Sequence, residues 1–210
     1  MSDAQKLSRA GNVTKFKRQH ILSAARRVFD AKGMAGLNMR AIAEEAGYSL
    51  GAAYSYFRTK EEIEAELLAG ILGELTRQIK TASSQRAAND GNQPFSVFTA
   101  YFRDRPEARK LLLLTLGALG EKSPDIPATT QKELNSRLLT LMGLMANGLH
   151  QATRTSAPRA QEETTDFIAY LLGLLLLENS DRLQLLNQDS QEMVDRYGER
   201  MLLRSTQQEE

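Results

Sequence analysis

The stretch that most limits what this chain can fold into runs from Asn38 to Lys60, NMRAIAEEAGYSLGAAYSYFRTK. Met39 to Ala46 reads as one short helix with Ile42 and Ala43 as its apolar contacts, and Leu50 to Phe57 reads as a second. Between them Gly47-Tyr48-Ser49 reads as a turn. Gly47 permits the positive φ on which helices commonly end. Ser49 suits the N-cap of the second helix, or a phosphate contact. Two crossing helices joined by a tight glycine-containing turn make a helix-turn-helix, whose second helix fits a DNA major groove. Gly51, Ala52 and Ala53 thin the start of that helix so that another surface can approach, and Tyr54 and Tyr56 add hydroxyl donors. The plainer alternative is a helical corner inside an all-α protein; glycine placement and charge together favour DNA.

The net charge of +1 conceals an asymmetry. Residues 1–60 carry 11 Lys/Arg against 4 Asp/Glu, whereas residues 61–210 carry 16 against 22. A basic portion joined to an acidic one indicates a polyanion-binding segment attached to something else, and here the basic portion contains the helix-turn-helix.

The run resembles the DNA-binding domain of the tetracycline-repressor (TetR) family of bacterial transcription regulators. The matching residues are Asn38-Met39-Arg40-Ala41-Ile42-Ala43, Ala46-Gly47-Tyr48-Ser49, Gly51 with Tyr54-Ser55-Tyr56-Phe57, and Lys60-Glu61-Glu62-Ile63. The family usually has Thr where Asn38 stands, Lys where Leu50 stands and Thr-Leu where Ala52-Ala53 stand. The specific resemblance covers Thr14 to Ile63; beyond that it is a pattern of helices. It implies a three-helix DNA-binding domain, with Asn38, Arg40, Ser49, Leu50, Gly51, Ala52, Tyr54, Tyr56 and Lys60 at the DNA. Tyr56 and Lys60 are expected on phosphates, and Ser49, Ala52 and Tyr54 at base edges or thymine methyls. Leu50 substitutes an apolar contact for a charged one, which shifts weight onto Lys15, Lys17, Arg18 and Arg58.

In chain order, Met1 to Val13 is expected to be disordered, either a basic arm along DNA or a solvated tail. Thr14 is expected to cap a helix over 15–32, with Ile21, Ala25, Val28 and Phe29 on its apolar face, closed by Gly33 and Gly36. Lys15, Lys17 and Arg18 would then oppose the dipole of its first turn, as if an anion sat nearby. Thr59-x-x-Glu62 is a capping box opening a long helix over 60–82, with Ile63, Leu67, Ile71, Leu75 and Ile79 in one stripe. That helix would link the two parts mechanically. A loop is expected over 83–93, then helices over 94–103, from Asp104–Glu107 to Gly120, over 128–154, over 158–186, and from Asp189 or Ser190 onward, with 207–210 frayed. The reading is all-α with about nine helices: a helix-turn-helix DNA-binding domain with a basic arm over 1–60, and a helical effector-binding and dimerisation domain over 61–210.

Composition removes several chemistries. With 41% hydrophobic and 25% charged residues the chain is an ordinary soluble one. It has no Cys, so no disulfide or thiol catalysis. Its two His, His20 and His150, stand far apart with no metal-ligand spacing, and no glycine-rich phosphate loop is present. No enzyme activity, metal or cofactor is expected. The N-terminus lacks the apolar core of a signal peptide, and the longest apolar run, Phe167 to Leu177, is too short to span a bilayer. A cytoplasmic location without membrane contact is expected.

The last two long helices carry more apolar surface than one bundle uses, which points to a homodimer through a four-helix bundle. The family resemblance implies the same pairing, and also a small effector. Phe98, Phe102, Met142, Met145, His150 and Tyr170 are the candidate lining residues for an apolar or aromatic effector, fatty or drug-like. At helical spacing the same residues are more often plain core. The resulting expectation is a homodimeric regulator, a repressor released from a palindromic duplex operator by its effector. The alternative is a DNA-bound structural or protein-interaction factor with no small ligand.

Overall fold

The computed structural model describes residues 3–85, 91–118 and 125–206. Among these it holds ten helices and no strand: α1 (Asp3–Gly36), α2 (Met39–Ala46), α3 (Leu50–Tyr54), α4 (Lys60–Gln85), α5 (Gln93–Arg103), α6 (Pro106–Ala118), α7 (Ala128–Thr153), α8 (Ala157–Asn179), α9 (Arg182–Leu185) and α10 (Ser190–Thr206). They divide into two compact units, one of residues 1–68 with 115–134, the other of 69–114 with 135–210. The division falls inside α4, α6 and α7, so continuous helices, not linkers, pass from one unit to the other.

The first unit is organised on α1. Ile21, Ala24, Ala25, Val28 and Phe29 give it a buried face, met by Leu37, Met39, Ile42, Ala43 and Ala46 of the α2 region and by Ala53 and Phe57. The structure corrects the expected start of this helix. Residues from Asp3 onward are helical, so Thr14 lies mid-helix and is not an N-cap, and the backbone over 3–13 is not irregular. The segment contains Ala, Gln, Lys, Leu and Arg and no proline. Extending an existing helix costs far less than starting one, so the docked part of α1 carries the helix outward. The dipole argument for Lys15, Lys17 and Arg18 lapses with the cap. At the other end Gly33 takes φ 62° and breaks the helical path before Gly36.

In α4 the expected stripe is the core: Ile63, Leu67, Ile71, Leu75 and Ile79 are all buried. Its start is capped by Thr59, whose Oγ1 accepts from Glu62 N at 3.1 Å, while the Glu62 carboxylate accepts from Arg58 N at 2.9 Å. The expected loop over 83–93 lies partly outside the described residues, and α4 itself runs to Gln85.

The second unit has an aromatic column. Phe95 of α5 stacks on Phe167 of α8 at 4.6 Å, Phe167 on Tyr197 of α10 at 4.8 Å, and Tyr197 on Tyr170 at 4.3 Å. Buried Glu163 of α8 ties that helix to α10 by charge, 2.8 Å from Arg204, and also lies 2.7 Å from Arg159 one turn before it. The tenth helix arises because α8 stops at Asn179 instead of running to 186. Ser180 Oγ donates to the Leu176 and Leu177 carbonyls, and Asp181 turns left-handed at φ 56°. Such short polar side chains compete with the helix for backbone groups, and α9 restarts after the break.

Candidate nucleic-acid interface

The turn between α2 and α3 is built by local chemistry. Asn38 caps α2: its Oδ1 accepts from Ala41 N at 3.0 Å and its Nδ2 donates to Gly36 O at 3.2 Å. At the far end Gly47 adopts φ 70°, ψ 30°, which places Tyr48 N on Ala43 O at 2.9 Å and Gly47 N on Glu44 O at 3.0 Å. This paired arrangement closes a helix on a left-handed residue. Ser49 then caps α3 through its Oγ, which accepts from Ala52 N at 3.2 Å.

Within α3 the sides separate cleanly. Ala53 is buried, as is Phe57 just beyond the helix, whereas Ser49, Leu50, Gly51 and Tyr54 are exposed. Ala52 and Tyr56 are half-buried at the edges. The helix ends at Tyr54, three residues short of the expected Phe57, and single turns through Ser55, Tyr56 and Phe57 continue the path. Asn38 and Arg40 are exposed at the start of α2. The Asn38 side chain is already engaged as a cap, which leaves its second amide hydrogen and oxygen lone pair for a partner. Lys60 lies 2.9 Å from Glu64 Oε1, itself nearly buried and off the line of a good hydrogen bond.

Arg18 stands elsewhere. Expected on the phosphate backbone, it points into the unit: its guanidinium covers the Phe57 ring at 3.9 Å, bonds Glu62 at 2.7 Å, and also reaches Glu66 and the Tyr56 carbonyl. Burial alone would lower its pKa, but Glu62 and Glu66 outweigh this and raise it. Burial pushes the Glu66 carboxyl above its usual range, against the pull of Arg18. Arg18 therefore pins α1 to the end of the α3 segment and the start of α4. Lys15 is exposed and Lys17 half-buried.

Two residues outside the expected set brace the turn. His20 Nε2 lies 3.1 Å from Ala46 O, and its ring meets Tyr48 edge-on at 6.0 Å. Tyr48 in turn meets Tyr56 at 6.4 Å. No sequence signal marks His20 for this role, because it depends on where α1 crosses the turn.

The six expected effector residues are split. Phe98, Phe102 and Met145 are buried core. Tyr170 is held in the aromatic column and donates to Met193 O at 3.1 Å. Met142 and His150 do line a groove of about 300 Å³ between α7 and α8, with Leu139, Ala146, Asn147 and Gln161 among its walls. Among the described residues no helix is long and apolar enough to cross a membrane.

Residues 21–67 match the sequence model described as bacterial regulatory proteins, tetR family. A curated relative, the HTH-type transcriptional regulator PksA of Bacillus subtilis (strain 168), is 41% identical over 64 residues, 30% of this chain and 31% of the relative. The chain thus matches about a third of that relative's length. Among solved structures, a TetR transcriptional regulator from Rhodococcus sp. RHA1 superposes with TM-score 0.65 at 13% identity, covering 90% of this chain and 97% of that one. FadR from Bacillus subtilis in complex with stearoyl-CoA gives 0.61 at 15%, covering 88% and 97%. Thermus thermophilus FadR in complex with lauroyl-CoA gives 0.57 at 20%, covering 92% and 96%. At such identities these three likenesses speak for the fold.

Proposed function

We propose that residues 21–67, which match the tetR-family sequence model, are the DNA-binding domain of a ligand-responsive transcriptional repressor with no enzymatic activity, acting in the cytoplasm. The observation that carries this reading is the face of α3. Ser49, Leu50, Gly51 and Tyr54 are exposed on a capped helix whose opposite side, Ala53 and Phe57, is buried. A short helix held this rigidly and this thinly can enter a major groove. Asn38, Arg40, Ala52, Tyr56, Lys60, Lys15 and Lys17 flank it as positioning contacts.

One such helix contacts too few bases for strong discrimination, so the active species is a homodimer on a palindromic operator, its half-sites about 34–36 Å apart. The exposed Ala169, Gly173 and Leu176 of α8 and Leu203 of α10 supply the pairing face. Selection of bound sequences from a random duplex pool tests the reading. An enriched palindrome is expected; binding that is salt-sensitive without any enriched sequence would overturn it.

For the effector, the α7–α8 groove supports an apolar ligand. Leu139, Met142 and Ala146 form its apolar wall, and Asn147, His150 and Gln161 its polar one. His150 Nδ1 lies 2.6 Å from the Thr155 carbonyl, an acceptor, so Nδ1 carries the hydrogen and Nε2 is left for a ligand. The acyl-CoA complexes of the two FadR proteins make a long-chain acyl group the first candidate. A ligand at a hundred times its Kd should stabilise the protein by about 2.7 kcal/mol. Met142→Trp, which fills the groove, should abolish that shift in thermal melting while operator binding persists. A shift unchanged in the variant would place the effector elsewhere.

A further inference from the structure

Residues 11–16 of α1 have no place in the core. Every position from Gly11 to Phe16 is exposed although the backbone is helical. Val13 is 48% and Phe16 73% exposed. Single exposed apolar residues are ordinary; these two share a helix face, and His20 lies one turn further along it. His20 is the residue that touches Ala46 O and Tyr48 at the turn leading into α3. Val13, Phe16 and His20 therefore continue the row of Tyr48 and Tyr56 outward along α1. Arg18, two residues from Phe16, lies on the opposite face and holds Glu62 and Glu66.

The charge around this face has one sign. Lys15 and Lys17 flank Phe16, neither has an acidic partner among the described ion pairs, and Lys6 and Arg9 lie upstream with Asp3 as the single acid of residues 1–20. An aromatic set among lysines suits duplex DNA, in which sugars and base steps take the ring while phosphates take the ammonium groups.

We propose that the exposed Val13–Phe16 face of α1 is a second DNA-contacting surface, seated on the duplex outside the sequence read by α3, with Phe16 against the minor groove and Lys15 and Lys17 on phosphates. The proposal rests on the DNA-binding reading above. From Lys17 back to Asp3 the helix extends about 21 Å at 1.5 Å per residue, enough to follow about six base pairs at 3.4 Å each. Flanking DNA, not operator sequence, is its ligand.

The test uses the full chain and two duplexes: the selected operator alone, and the same operator with six further base pairs on each side. The parent should gain about tenfold in affinity from the flanks. Phe16→Ala should lose most of that gain without altering the salt slope, and Phe16→Trp should retain it. Lys15→Ala with Lys17→Ala should lower the slope on the long duplex by about two. A parent indifferent to the flanks, or a Phe16→Ala variant that keeps the full gain, overturns the proposal while leaving α3 as the reader. A change of oligomeric state in DNA-free Phe16→Ala, seen by sedimentation, also overturns it and assigns the face to a second copy of the chain. If the parent selects no operator at all, the DNA-binding reading fails first and this inference with it.

Discussion

Arg18 shows how much one side chain can hold. It carries a ring contact, two carboxylates and a backbone carbonyl between α1, the end of the α3 segment and α4. Removing it takes the guanidinium away from Glu62, which is only 4% exposed and would keep Arg58 N as a donor. Arg18→Ala should cost about 2 kcal/mol in urea unfolding, with no change in the salt slope of DNA binding beyond that loss. A slope reduced by about one would return Arg18 to the phosphates. Glu66 beside it gives a pH signature. Burial raises its folded pKa above the ordinary 4.5, Arg18 opposes this, and Glu62 and Glu133 add repulsion. The folded state thus holds this proton more tightly than the unfolded one. Its contribution to stability is full below pH 4.5 and is lost as pH rises through the folded pKa. Relative to Glu66→Gln, the parent should lose stability on going from acid to neutral pH. Melting curves of the two that run parallel across that window would refute the assignment.

At the scale of elements, packing decides where side chains are forbidden. A Cβ on Gly198 of α10 would lie 2.3 Å from Asn92 Oδ1, just before α5. Alanine is otherwise the better helix former by about 1 kcal/mol, so the sign depends on Asn92. Gly198→Ala should destabilise by about 1–3 kcal/mol in the parent and stabilise in an Asn92→Ala background. A double-mutant cycle in denaturant measures this coupling; additive effects would show that Asn92 simply swings aside. Element boundaries followed the same logic. The capped starts of α3 and α4 were legible because Ser49 and Thr59 make bonds within three residues of themselves; the cap that Asn38 makes on α2 was not read, because the same residue was taken as a DNA contact. The outward run of α1 and the break after Asn179 were not, because helix continuation and a left-handed Asp181 leave no periodic mark.

For the whole molecule, the open question is pairing. Leu176 is 56% exposed on a helix whose other side is core. Leu176→Arg should leave the fold intact, give a monomer at micromolar concentration by sedimentation, and weaken operator binding. A variant that stays dimeric would remove α8 from the interface. The sequence by itself determined an all-helical chain, its helix-turn-helix and the polarity of its charge, since these depend on glycine and cap positions, on residue spacing and on counting. Only the tertiary structure decided where each candidate residue lies and what it touches. Spacing makes Phe98, Met142, Met145 and His150 equivalent, but packing buries Phe98 and Met145 and leaves Met142 and His150 on a groove. Spacing likewise makes Lys17 and Arg18 alike, yet the crossing of α1 over α4 turns Arg18 inward to Glu62 and Glu66. A side chain's type is local, whereas its partner is set by residues dozens of positions away, which only the folded chain brings within reach.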